Sequence, residues 1–254
     1  MKNKKVAAWI FVTGLILCSF PLVSECYQQI CQRKTVQTYE HELEITKDDQ
    51  NKIFQKAREY NKKLFEGADV KEEYAAQFGK KEEPIMGTIE IPVIHVCLPI
   101  YHGTSEEVLS KGAGHLKESS LPSGGKNTRC ILTGHRGLPN AKLFTRLDEL
   151  KKGDQFFLRI YGKCMAYEVK KIQIIEPSDL QILKIEEGKD LVSLLTCTPY
   201  GINTQRLVVT GQRIPYKGRK KTIRQKFLSP REFLITALPF LFLGMTIIDD
   251  LTEE

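Results

Sequence analysis

The amino-acid sequence predicts a mainly β domain, an antiparallel barrel or sandwich, preceded by a helical arm and flanked by apolar segments. Three observations carry this expectation. From Met86 the chain consists of short β-branched runs broken by Gly and Pro; between positions 40 and 80 it is rich in Glu, Lys, Gln and Ala at helical spacing; and each end holds a long run without charge. With 254 residues and 41% hydrophobic side chains there is enough chain for one sizeable core plus appendages, and collagen-like, low-complexity and fully disordered readings are excluded. The net charge of +7 divides into +3 over residues 1–23, +2 over 24–216, +7 over 217–231 and −5 over 232–254. A nearly neutral centre argues against nucleic acid as a partner, because that requires a basic face on the core itself. Basic flanks beside apolar runs suit a membrane surface instead.

The first element, residues 1–23, contains eighteen uncharged residues from Val6 to Val23 behind Lys2, Lys4 and Lys5. That is the minimum length for a transmembrane helix. A secretory signal peptide is the competing reading, but no small-x-small cleavage site follows cleanly. An uncleaved anchor is therefore expected, with the Lys-rich end inside and the bulk of the chain outside.

Residues 24–83 form the arm. Leu43, Ile53, Ala57, Tyr60 and Leu64 recur at spacings of three, four and seven, which predicts one or two amphipathic, charge-laced helices. The arm carries no chemical motif.

Residues 84–216 form the β domain. Its candidate strands are GTIEI, VCLPIY, CILTGH, QFFLRIYG, MAYEVKKIQII, LVSLLTC and RLVVTGQRI, with a brief helical interruption over 141–150. Alternation in MAYEVKKIQI marks a strand with one wet face. There is no internal repeat, Gly-rich phosphate loop, HExxH, CxxC or EF-hand pattern, so nucleotide and metal chemistry have no support in the sequence.

Residues 217–254 comprise a basic linker and a second apolar run of sixteen residues, Phe233 to Ile248, interrupted by Pro239. This run is expected to be membrane-embedded or tilted. The basic linker falls on the side that an N-inside first helix places outside, and contact with anionic lipid accounts for it.

Two strand ends carry the candidate chemistry. Of the seven cysteines, Cys18 lies in the anchor, Cys26 and Cys31 flank it, either paired or incidental, and Cys97, Cys130 and Cys164 sit within apolar strands as small hydrophobes. Cys197 differs because it ends a strand immediately before Thr-Pro-Tyr-Gly, where side chains face a cleft. His135 lies in Thr-Gly-His-Arg-Gly at another strand end, whereas His41, His95, His102 and His115 are expected in the arm, in loops or on the surface, without evident partners. One Cys and one His at strand ends, far apart in sequence, fit a thiol nucleophile with its acid–base partner. Arg206 follows Cys197 by nine positions; in a hairpin the two lie opposite each other, and a guanidinium there would donate to an oxyanion or to the substrate backbone.

These residues sit in LLTCTPYGINTQRLVVTGQR and, about sixty residues upstream, TGHRG, which closely resemble the sortases, cysteine transpeptidases of Gram-positive bacterial surfaces. IYHGTSEEVLSKGAGHL, SLPSGG and LTGHRGLPNAKLFTRLDEL look like class C, the pilus-assembling sortases; the resemblance covers roughly residues 85–216. It implies an eight-stranded sortase-type β-barrel with short helices, with a groove lined by His135, Cys197 and Arg206. Leu195 and Thr196 are its candidate substrate contacts. In this reading Cys197 attacks the Thr-Gly carbonyl of an LPxTG-like sorting signal, giving a thioacyl enzyme. His135 protonates the leaving amine and later takes a proton from the incoming one, and Arg206 steadies substrate and oxyanion. The implied partners are pilins and surface proteins bearing such signals, with a pilin Lys amine as acceptor; no metal or organic cofactor is implied. Anchoring surface proteins to peptidoglycan is the alternative within the same chemistry, and an inactive pilin-binding membrane scaffold is the alternative outside it.

Two departures from the family pattern stand out. Ser193-Leu194-Leu195-Thr196 replaces the usual Thr-Leu-x-Thr before the cysteine, which keeps a hydroxyl. The Asp-Pro-aromatic lid motif of class C is absent, since Asp69 is followed by Val70 and Lys71. The groove is expected to be open or covered in another way.

Overall fold

The computed structural model describes residues 2–43, 46–74, 85–137, 143–179, 181–216 and 218. Three helices lead into the domain: α1 (Lys2–Glu42), α2 (Lys47–Phe65) and α3 (Lys71–Tyr74). Thr46 caps α2 by accepting from the Asp49 amide at 3.1 Å, and Asp48 and Asp49 occupy the positive first turn while Lys62 and Lys63 occupy the last. The helix buries Phe54, Ala57, Tyr60 and Asn61, one stripe at the spacing read from the sequence. Asn61 then fastens it to the domain: its Oδ1 accepts from the Leu121 amide at 2.7 Å, and its Nδ2 donates to Leu121 O and Ser123 Oγ. The end of α1 packs on the domain as well, with Val36 buried and the Tyr39 hydroxyl donating to Met86 O.

Eight strands follow: β1 (Ile85–Ile91), β2 (Val96–His102), β3 (Ala113–His115), β4 (Thr128–Thr133), β5 (Gln155–Ile160), β6 (Lys163–Ile175), β7 (Asp190–Thr198) and β8 (Gln205–Ile214), with helix α4 (Glu106–Lys111) between β2 and β3. They close into a barrel in the order β1-β2-β3-β4-β7-β8-β6-β5. Closure removes every sheet edge. All seven strands read from the sequence are present. The eighth, β3, is three residues of Ala-Gly-His whose composition gives no strand signal; it exists because its backbone fills the gap between β2 and β4.

The barrel is not purely antiparallel as expected. β2 with β3 and β4 with β7 run parallel, the first pair joined through α4 and the second separated in sequence by β5 and β6. Residues 147–149 form a 3-10 turn, a fragment of the expected helical interruption.

Val192, Leu194, Leu207 and Val209 point into the closed core, yet Ile131, Ser193, Val208 and Thr210 on the opposite face of β4, β7 and β8 are also at most 4% exposed. The connection between β6 and β7 accounts for this. β6 ends with Ile175 beside Arg206 and β7 begins at Asp190 near the far end of β8, so the described residues 176–179 and 181–189 return along the sheet, on the outer side where Glu186 meets Arg129.

Among the described residues, no helix is long and apolar enough to cross a membrane. The expected segment from Val6 to Val23 lies within α1, many of whose side chains there fall outside the described set. The second apolar run lies wholly outside the described residues.

Candidate active site

Strand register brings the candidate residues together. β4 and β7 run side by side with Thr133 beside Leu195, and the Gly134 amide continues the ladder by donating to Leu195 O at 3.1 Å. His135 comes two residues after Thr133, just past the end of β4, and Cys197 two residues after Leu195 in β7. On the other flank β8 pairs Cys197 directly with Arg206. β7 and β8 thus hold Cys197 and Arg206 as direct cross-strand neighbours, and His135 enters from the loop that leaves β4 alongside β7.

Alternation decides which side chains share the outer face. Leu194 and Thr196 turn into the barrel; Leu195 and Cys197 turn outward and are half-buried, and Arg206 shares the face of its partner Cys197. Of the two candidate substrate contacts, only Leu195 is on the side of Cys197. Thr196 is 1% exposed and spends its hydroxyl on Gly134 O at 2.8 Å, so it holds the histidine loop from inside.

That loop is fastened at several of its described residues. Thr196 holds Gly134, the Phe144 amide donates to His135 O at 3.1 Å, and the Gly137 amide donates to Thr145 Oγ1 at 3.2 Å. The Phe144 ring lies so near Gly134 that a Cβ there would sit 2.8 Å from a ring carbon. Gly137 has φ +81°, and a Cβ on it would meet the Tyr200 ring at 3.1 Å, so the histidine loop and the loop after Cys197 touch through a glycine.

The His135 side chain retains 24% exposure, and Glu106 Oε1 from α4 approaches its Nε2 at 3.1 Å, short of hydrogen-bond alignment. Arg206 commits Nη1 to the carbonyls of Asn203 and Gln205, which folds its base against the loop; a guanidinium has five N–H donors in all. Cys197 is half-buried, whereas Cys130 is 2% exposed on the core side of β4; burial there pushes the Cys130 thiol pKa well above the ordinary range. Cys31, Cys97 and Cys164 are half-buried and in no disulfide, and the Cys26 side chain lies outside the described residues.

Three site neighbours escaped the sequence reading. Glu106 approaches His135 from another element, Arg136 joins the two loops, and Arg129 lies beneath the outer face. Arg129 is 2% exposed and donates to Ser193 Oγ at 3.0 Å and to Glu186 of the 176–189 connection. Burial pulls its pKa down, against the opposing charge of Glu186. Only Arg136 had a signal, its place directly after His135.

His115, expected at the surface without a partner, is a correction. It is fully buried, with Tyr74 Oη 2.8 Å from Nδ1, and with Ser120 O and Ser119 Oγ 2.9 and 3.2 Å from Nε2. The arm makes it so, because Tyr74 stacks on its ring. The arm segment bearing Asp69 and Val70 thus docks at β3 through Tyr74, and residues 75–84 lie outside the described set.

The Sortase domain family model matches residues 89–214, the barrel from β1 to β8. The chain is 42% identical to sortase C1 of Streptococcus agalactiae, whose crystal structure superposes with a TM-score of 0.70 over 72% of this chain and 100% of that one. It is 38% identical to the Streptococcus pneumoniae sortase C, a structure reported for insights into catalysis and pilin substrate specificity, at a TM-score of 0.67 over 74% of this chain and 100% of that one. Sortase D of Bacillus subtilis (strain 168) is 36% identical over 143 residues, 55% of this chain and 69% of the relative. With this barrel and these relatives, the chain belongs to the sortase family of cysteine transpeptidases, and its structural neighbours are class C sortases.

Proposed function

We propose that this sortase polymerises pilin subunits at the outer face of the membrane, with Cys197 as nucleophile, His135 as acid and base, and Arg206 as the clamp for substrate and oxyanion. The observation that supports the reading is the direct pairing of Cys197 with Arg206 across β7 and β8, with the parallel register of β4 on β7 leading the chain to His135 at the same end. The Cys197 thiolate adds to the Thr carbonyl of an LPxTG-like signal. The C–N bond to Gly breaks, the amine leaves with a proton from His135, and a thioester remains. A pilin Lys amine then attacks the thioester and loses its proton to His135, and the Cys197 thiolate departs as the isopeptide bond forms. Arg206, opposite Cys197, donates to the carbonyl oxygen as charge develops on it. Leu195 lines the floor beside the nucleophile.

Polymerisation is preferred over wall anchoring because the structural neighbours near 40% identity are sortases C, one of them reported with pilin specificity. The membrane location is supported by α1, where Trp9, Ile10, Leu17, Phe20 and Val23 are largely exposed behind a Lys-rich start. An apolar surface of that extent calls for an apolar environment.

Incubation with an LPxTG-type peptide tests the chemistry by mass spectrometry. A thioacyl adduct on Cys197, absent from Cys197→Ala, is expected; no adduct, together with normal fibres in a Cys197→Ala strain, refutes it. Deletion of the gene then separates the acceptors. Loss of high-mass pilin ladders is expected, and intact ladders with unanchored surface protein would select the cell wall.

A further inference from the structure

The guanidinium of Arg136 joins the two reacting loops. Arg136 follows His135, and its side chain is 8% exposed. Nη1 donates to Thr198 Oγ1 at 3.0 Å, and Nη2 donates to Asp148 Oδ2 at 2.6 Å. Thr198 follows Cys197 and is itself 7% exposed, and Asp148 sits on the 3-10 turn Leu147–Glu149. One planar group therefore ties the residue after the histidine to the residue after the cysteine, and both to a turn on the barrel.

We propose that Arg136 is a positioning residue of the transpeptidation, fixing the separation of His135 and Cys197 through its two anchors, Thr198 and Asp148. The inference rests on these two side chains being the reacting pair. On the side before His135, the backbone is already fixed, by the Thr196–Gly134 and Gly134–Leu195 bonds. On the side after it, Arg136 supplies a tie to the cysteine strand, while the Gly137 amide bonds within its own loop, to Thr145. The fork matters: two acceptors lie in different directions, and a guanidinium addresses both at fixed geometry where an ammonium is a point donor. A nearly buried cation is also costly unless its partners are retained, so the arrangement resists drift.

The test uses the full-length protein in detergent and two readouts. The first is the pH profile of Cys197 alkylation by iodoacetamide, followed on the Cys197 peptide by mass spectrometry, which needs no substrate. His135→Ala defines how the profile changes when the histidine is lost. Arg136→Gln is expected to reproduce most of that change at a melting temperature within a few degrees of wild type, with Arg136→Lys and Thr198→Val in between. The second readout is turnover of an LPETG peptide. For Arg136→Gln we expect kcat to fall about 100-fold, the cost of roughly 1 Å of misplacement, with KM within about twofold. An alkylation profile superimposable on wild type, or a kcat loss that merely tracks the unfolded fraction, overturns the inference. If Arg136→Gln does not fold, Thr198→Val decides by the same criteria, because it removes one bond with a side chain of equal shape. If the wild-type protein turns over no peptide, the pilin reading suffers, while the alkylation profile still decides the role of Arg136.

Discussion

Protonation of His115 should loosen the arm from the barrel. This imidazole is fully buried, and burial lowers its pKa from 6.5 to about 4, with the neighbouring His102 adding in the same direction and the Ser120 carbonyl opposing. The neutral ring fits its surroundings, accepting from the Tyr74 hydroxyl at Nδ1 and donating to Ser120 O from Nε2. Because the folded-state value is the lower one, the unfolded chain binds the extra proton between pH 6.5 and 4. Stability from this group is complete above pH 6.5 and is lost as the pH falls through that window. At 1.36 kcal/mol per pKa unit, a drop from pH 8 to pH 5 costs about 2 kcal/mol through His115 alone. Urea unfolding at both pH values, compared between wild type and His115→Gln, isolates the effect because surface carboxylates contribute equally to both proteins. The wild type should lose about 2 kcal/mol more than the variant. A difference that stays flat from pH 8 to pH 5 would show that His115 takes its proton as readily folded as unfolded, and the reasoning would be wrong.

Other perturbations address the site directly. Gly134→Ala drives a methyl to 2.8 Å of the Phe144 ring and should lower both the melting temperature and turnover, by about 1–3 kcal/mol in stability, as read by thermal unfolding. Glu186→Gln leaves the buried Arg129 without its counter-charge; since the Glu186 side chain is 37% exposed, a loss of about 1–2 kcal/mol is expected in urea, and sorting-peptide KM should rise as the 176–189 connection loosens. Glu106→Gln removes a carboxylate that is 84% exposed, so turnover should change by no more than about fivefold and the difference should vanish at 1 M salt. Iodoacetamide should label Cys197 well before the buried Cys130, measured peptide by peptide; equal rates would contradict the geometry.

The local chemistry of this chain is written in its sequence. Seven strands, the buried stripe of α2 and the special positions of Cys197, His135 and Arg206 follow from alternation, helical spacing and residues placed at strand ends, all of which are short-range properties. Even the pairing of Cys197 with Arg206 was legible, because a hairpin fixes its own register. What the sequence left open depends on contacts between distant segments. The parallel neighbours β4 and β7 join residues some sixty positions apart, and that register brings the loop bearing His135 to the end of β7 that bears Cys197. β3 has no strand composition and exists because the barrel must close there. Alternation within the closed barrel turned Thr196 inward while Leu195 stayed on the face of Cys197, and docking of the arm made His115 a buried partner of Tyr74 rather than a surface residue. Propensity and pattern act over a few residues and select elements; loop closure, burial and the partners of buried polar groups act over the whole chain, so the tertiary structure alone decided where each element's chemistry was aimed.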